Sequence, residues 1–305
     1  MIKNTKLLEG IIKNIASEKC SFGNQLLYDM CIDKEGQYWN DPNIFADKVW
    51  LIGRSYAASP ERRYTYKSEC SREEQKNDNA GDGTGEYFKR IAENILNNAA
   101  KANNTITILE NNYSFDFSDR DCEILFTGIN GVLQFNKLIV SASKHYDGDE
   151  FTNKVNYKNQ VSFCSKFLHF HFPDTIFIID SFSRMGASYL FSKGTRTNAT
   201  IKWQSGRVGV LNESTPKGAM SLLLEYEPYV VNNKKFEYQF TKKLNELKLD
   251  LYVHGKEYAE HCLRAYKTAC LFKMFLGNEV PSCSYPRIVD TLLLKIKSAN
   301  NYKDL

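Results

Sequence analysis

No apolar run in this chain of 305 residues approaches the roughly 18 consecutive residues that a membrane-spanning helix requires. No secretory leader is expected in the opening residues either. The opening MIKNTKLLEGIIKNIASEK carries charge among its apolar positions and has no small-residue cleavage site, so it is expected as an amphipathic helix. The eight cysteines, at 20, 31, 70, 122, 164, 262, 270 and 283, form no CxxC pair, which excludes the commonest zinc pattern. Their scatter suits a reduced cytoplasm and not a disulfide framework, with Cys164, Cys262 and Cys270 expected as small buried hydrophobes in apolar helical patterns. Strong charge is absent: a net +4 confines any nucleic-acid signal to how the charge is distributed. Three alternating glycines at 81, 83 and 85 precede an expected helix over 87–100, but no apolar strand precedes them. Such glycines can hold a phosphate at a helix N-terminus, but without the strand a dinucleotide-binding unit is not expected, and residues 67–85 read as a polar, mobile loop. No internal repeat is present.

What remains is ordinary globular composition, 42% hydrophobic and 25% charged, dominated by helical periodicity. Leu7, Leu8, Ile11, Ile12 and Ile15 define a first helix, and residues 22–30 a second. Asp41 is expected as the N-cap of a third, with Pro42 at its first position and Ile44, Phe45, Val49, Trp50 and Ile52 along it. Residues 104–113 are expected as a short extended segment, and Ser118 with Asp121 as a capping box opening a long helix. Residues 193–218 are expected as a loop or small hairpin. Helices then follow over 219–229, 235–250 and 256–276, with a last one after Pro286. The expected fold is one mainly α domain with minor β content, in two helical lobes (about 1–115 and 116–305) around a central cleft.

The stretch QVSFCSKFLHFHFPDTIFIIDSFSR, residues 160–184, faces that expected cleft. At about 100° per residue, Val161, Cys164, Leu168 and Phe172 share one side of a helix, and Phe163, Phe167 and Phe170 cover another. Between them runs a narrow polar line of Ser162, Lys166 and His169. An ammonium on so apolar a helix is costly without a partner. Asp180, 14 residues further on, stands after the apolar run 176–179 and at the mouth of a next helix over 182–191.

Two readings of the pair stand on spacing alone. In one, Lys166 snorkels to solvent and Asp180 merely caps the next helix. In the other, a neutral amine attacks an electrophilic carbon while the carboxylate stabilises developing positive charge. That second version requires Asp180 to point at the substrate and not to pair tightly with Lys166.

The run SFCSKFLHFHFPDTIFIIDS resembles the catalytic segment of the helical DNA glycosylases of the helix-hairpin-helix superfamily, specifically the 8-oxoguanine DNA glycosylase-like proteins of bacteria. The resemblance covers about 25 residues. It implies that Lys166 attacks the sugar carbon and that Asp180 supports departure of the base. The substrate implied is double-stranded DNA containing a modified base, in repair or in defence against phages with modified DNA. The family's glycine-rich hairpin has no counterpart here; residues 156–160 stand in its place.

From Arg184 to Lys217 there are six Lys/Arg (184, 193, 196, 202, 207, 217) against one acidic residue, Glu213, with Trp203 among them. A cationic loop bearing an aromatic suits phosphate contact and base stacking. Lys202, Trp203, Arg207 and Lys217 are therefore expected at the DNA, with Arg184, Ser162 and His169 beside the pair. Arg54, Arg62 and Arg63 in GRSYAASPERR form a second basic patch. His169 lies a turn beyond Lys166 and is placed to tune it; His169 and His171 do not share a helical face, which argues against a metal pair. Neither a metal nor a nucleotide cofactor is required, and a monomer without membrane contact is expected. The competing function is a nucleic-acid-binding or protein-interaction module without catalysis.

Overall fold

A computed structural model describes residues 2–32, 41–56, 92–93, 114–118, 120–146, 160–191, 201–202, 208–209, 234–246 and 253–298. Among these the architecture is mainly α: α1 (Ile2–Ser17), α2 (Phe22–Cys31), α3 (Pro42–Ser55), α4 (Asp121–Tyr146), α5 (Val161–His171), α6 (Ser181–Phe191), α7 (Lys234–Glu246), α8 (Val253–Leu276) and α9 (Tyr285–Ser298). A two-residue antiparallel ladder, β1 (Ile201–Lys202) with β2 (Val208–Gly209), pairs Ile201 with Gly209 and Lys202 with Val208. None of the described helices is long and apolar enough to cross a membrane.

Local chemistry sets the helix ends. The Asp41 carboxylate accepts the amides of Asn43 (2.8 Å) and Ile44 (3.4 Å), and Pro42 occupies the first helical position, where its missing N–H has no partner to lose. The start of α4 differs from the expected capping box. Ser118 Oγ accepts the Arg120 amide, while Asp121 reaches back to the amides of Asp116 and Phe117 and across to the Tyr266 hydroxyl at 2.7 Å. The reversed chain at Phe117 (φ 61°) turns those amides towards the carboxylate. Gly277 closes α8 at φ 59°, its N–H on the Lys273 carbonyl.

One apolar core runs from Ile11 to Leu293. At its centre α5 packs against α2, α3 and α4, and is buried almost all round, as its two apolar sides require. Phe167 packs on Phe45 (5.4 Å) and Phe135 (5.1 Å), and Phe170 on Tyr28 (4.8 Å). The α6–α9 contact is the most intimate in the fold: a Cβ on Gly186 would lie 2.1 Å from the Leu293 carbonyl oxygen. Only a glycine allows that approach.

Several expectations are corrected. Trp50 is exposed on α3 and lies outside its apolar face; Phe45, Val49 and Ile52 form that face. Cys164 and Cys262 are buried, but Cys270 is half-buried. Cys20 and Cys283, 263 residues apart, are disulfide-paired with Cα atoms 6.6 Å apart, tying the end of α1 to the turn before α9. Nothing local in the sequence marks that pairing. The expected elements over 67–85, 104–113 and 219–229, and nearly all of 87–100, lie outside the described residues.

Candidate active site

An apolar strand-like run without a sheet must find partners for its backbone groups elsewhere. Ile176 to Asp180 finds them in side chains. His169 Nδ1–H donates to the Ile176 carbonyl (2.8 Å), Tyr258 Oη–H to the Phe177 carbonyl (3.0 Å), and His261 Nε2–H to the Ile178 carbonyl (2.9 Å). Ser165 Oγ accepts the Ile179 amide at 3.1 Å. Three of these four groups were not singled out from the sequence. Helices α5 and α8 thus hold the extended run between them and deliver Asp180 to the N-terminus of α6.

The two oxygens of Asp180 have separate partners. Oδ1 accepts the amides of Phe182 (2.9 Å) and Ser183 (2.8 Å), and the Asp180 amide donates to Ser183 Oγ (2.9 Å), a reciprocal cap. Oδ2 lies 3.1 Å from Lys166 Nζ. Lys166 does not snorkel: its side chain is 4% exposed and that of Asp180 18%. Burial alone pushes the Asp180 carboxyl up, but the Lys166 charge and the cap amides outweigh it and hold it below the usual carboxylate range. The expectation that the two would not pair tightly is therefore wrong for the free protein. Desolvation leaves each charge no better partner than the other.

Lys166 has a second neighbour. Its Nζ stands over the Tyr56 ring, 5.4 Å from the centroid. Tyr56, at the end of α3, packs on Phe170 (5.4 Å), donates its hydroxyl hydrogen to Asn24 Oδ1 (2.5 Å), and lies within reach of the Arg287 charge. Arg287 Nη1 in turn donates to Asp290 Oδ2 at 2.9 Å. A chain of contacts therefore runs Asp290, Arg287, Tyr56, Lys166, Asp180, drawn from α9, α3, α5 and the cap of α6. Burial, the largest effect, pushes the Asp290 carboxyl up to about 6 against the pull of Arg287, and the charges of Asp180 and Lys166 also reach it.

The structure redistributes the other expected residues. His169 is wholly buried, with Nδ1–H on the Ile176 carbonyl and Nε2 accepting the Tyr28 hydroxyl hydrogen (2.7 Å). Burial lowers it to about 3, so it is a neutral strut and offers DNA no charge; that expectation is corrected. His171 is buried on the Phe167 carbonyl (2.8 Å). Ser162 is half-buried on α5, and its carbonyl accepts the Ser165 hydroxyl. Half-buried Arg184, one turn into α6, pairs with Glu257 at 3.3 Å. Arg54 lies in α3 and Lys202 in β1, their side chains outside what is described; Arg62, Arg63, Trp203, Arg207 and Lys217 lie outside the described residues altogether. Among the described residues no group of His, Cys, Asp and Glu is arranged to hold a metal ion. Tyr56, Arg287 and Asp290, which complete the site, come from segments far apart in sequence, and no local pattern announces them.

No protein-family model matches the chain, and neither does any curated protein or solved structure.

Proposed function

We propose that this chain is a DNA glycosylase, with or without AP-lyase activity, that removes a modified base from double-stranded DNA in repair or in anti-phage defence. The observation that carries the reading is the buried Lys166–Asp180 pair. A helix cap needs only a short polar side chain, and an ion pair inside a phenylalanine-rich helix adds little stability over apolar residues of similar size. A lysine kept there at that cost has the character of a functional group.

The target nucleotide leaves the duplex, because its sugar carbon is otherwise out of reach. It enters between two helical lobes, about 1–115 and 116–305, with the basic residues of the 184–217 segment on the backbone. The sugar displaces Lys166 from Asp180. The Lys166 ammonium gives its proton to water; its Nζ lone pair bonds to the anomeric carbon as the glycosidic bond breaks, and the base departs with that bond's electrons and takes up a proton from water. Asp180, held ionised, faces the positive charge that builds on the sugar. Ring opening then gives an iminium between Lys166 and the sugar. The protein works as a monomer in the cytoplasm and uses no metal or nucleotide cofactor.

Borohydride reduction of the iminium tests this. Wild-type protein incubated with duplexes containing 8-oxoguanine or 5-hydroxymethylcytosine is expected to give a covalent adduct, and Lys166→Ala none. No adduct removes the lysine-attack version, and base release undiminished in Lys166→Ala removes Lys166 from the chemistry. One observation favours a non-catalytic binding module instead: both oxygens of Asp180 are already engaged within the protein. On that reading Lys166→Ala lowers stability or binding, and no abasic sites appear in any DNA.

A further inference from the structure

The acceptor inventory around the site does not close. Asp290 is 3% exposed, and its Oδ2 is taken by Arg287, but its Oδ1 has no hydrogen-bond partner among the described residues. Leaving a buried carboxylate oxygen unpaired is costly, and such atoms are rare enough in folded proteins to need a reason. Its place in the molecule supplies one. Asp290 is hydrogen-bonded to Arg287, whose charge acts on Tyr56, the side chain beneath Lys166 Nζ. It lies on α9 one turn before Leu293, where Gly186 brings α6, and with it Asp180, into backbone contact. A carboxylate with an unspent lone pair and a guanidinium with further N–H groups thus stand within reach of the charges of both Lys166 and Asp180, with the Tyr56 ring over the Lys166 amine.

We propose that Asp290 and Arg287 are the specificity-determining pair of this site, Asp290 Oδ1 accepting a hydrogen bond from an N–H or O–H group of the excised base. This rests on the glycosylase reading; because every nucleobase carries an N–H, the discrimination lies in where on the flipped base the donor is presented. A site built around a buried acceptor rejects a ligand lacking the donor far more strongly than an apolar pocket rejects one missing a methylene. Arg287 fixes the carboxylate plane through Oδ2, and Asn24 and Phe170 fix Tyr56 beside it. 8-Oxoguanine, with its N7–H, and 5-hydroxymethylcytosine, with its hydroxyl and amino groups, both qualify. When Asp290 gains a proton, Oδ1, the oxygen not held by Arg287, becomes a hydroxyl, a donor and a weaker acceptor. The charged and titratable groups that act on this region are Arg287 on α9, Lys166 and His169 on α5, Asp180 at the cap of α6, Tyr56 on α3 and Tyr28 on α2. Burial pushes the Asp290 carboxyl up to about 6.

Binding, separated from turnover, tests the assignment. In a Lys166→Ala background, affinities are measured for duplexes carrying 8-oxoguanine or 5-hydroxymethylcytosine and for a duplex carrying a tetrahydrofuran abasic analogue, which has no base to read. Adding Asp290→Asn is expected to weaken binding of the better base-bearing duplex at least about tenfold, the scale of one buried hydrogen bond to a charged group, and to leave the abasic duplex unchanged. The same contrast is expected without touching Asp290: between pH 7 and pH 5 affinity for the base-bearing duplex falls relative to the abasic one. Equal loss on both duplexes would make Asp290 a structural residue, and no loss would mean that water satisfies Oδ1; either overturns the proposal. So does the absence of any preference for both modified duplexes over unmodified DNA. Borohydride trapping on a pre-formed abasic site reports on the glycosylase reading independently, since that substrate carries no base.

Discussion

Asparagine at position 180 keeps an oxygen for the Phe182 and Ser183 amides but presents no charge to Lys166, whereas alanine keeps neither. The two substitutions therefore separate the cap from the pair. Asp180→Ala is expected to be about 1 kcal/mol less stable than Asp180→Asn in urea unfolding, the usual worth of an N-cap. Asp180→Asn is expected to slow base release by roughly 100-fold or more, as loss of a group facing transition-state charge does. It should still allow adduct formation with a pre-formed abasic site. Equal stability of the two variants would mean that Asp180 is no cap, and base release at the wild-type rate in Asp180→Asn would take it out of the chemistry. Lys166 and Asp180 were legible in the sequence because both sit in one short segment, where a lone cation on an apolar helix calls for a partner. Their tight pairing was not, because it depends on burial from α2, α3 and α9, which no local spacing encodes.

The extended run 176–180 carries the same lesson at the scale of elements. Its apolar character, and the helices on either side, could be read from the residue pattern. That no neighbouring strand pairs with it among the described residues could not, and with it went the role of His169, Tyr258 and His261, whose side chains take its carbonyls instead. Helix starts were read well where the cap is adjacent in sequence, as at Asp41, and poorly where a carboxylate reaches backwards and across the fold, as at Asp121. The run is also where a change remote from Lys166 should disturb it. His261→Phe fills the space but leaves the Ile178 carbonyl, two residues before Asp180, without its donor. The expected cost is about 1–3 kcal/mol in urea unfolding. A fall in base release beyond the folded fraction lost should accompany it, because Asp180 is aligned through this run. A stability loss with unchanged activity per folded molecule would show that the cap alone positions Asp180.

Acid stability belongs to the whole molecule, because the groups that govern it are spread over its core. Burial lowers His169 and His171 to about 3 and His261 to about 4, all from an ordinary value near 6.5. The unfolded chain therefore binds three protons that the folded one refuses between about pH 6 and pH 4, and each makes stability fall as pH falls. Burial raises Asp121 and Asp290 to about 6, so the folded state holds two protons there that the unfolded chain has released. Their contribution runs the other way: it is fully present below about pH 4 and is lost as pH rises through 6. The five groups together leave the folded state short of protons, so on balance they make stability fall on acidification through that window. Asp290→Asn removes one of the two opposing groups. Whatever the rest of the chain contributes, the variant should lose stability more steeply than wild type as pH falls from 6 to 4. Urea unfolding at pH 4.5, 5, 5.5 and 6 reads the difference directly, and parallel curves would mean that Asp290 is ionised in the folded protein throughout. The experiment bears on recognition as well. A steeper slope in the variant fixes the pH range over which wild-type Asp290 exchanges its acceptor lone pair for a proton, and affinity for a donor-bearing base must fall in that same range.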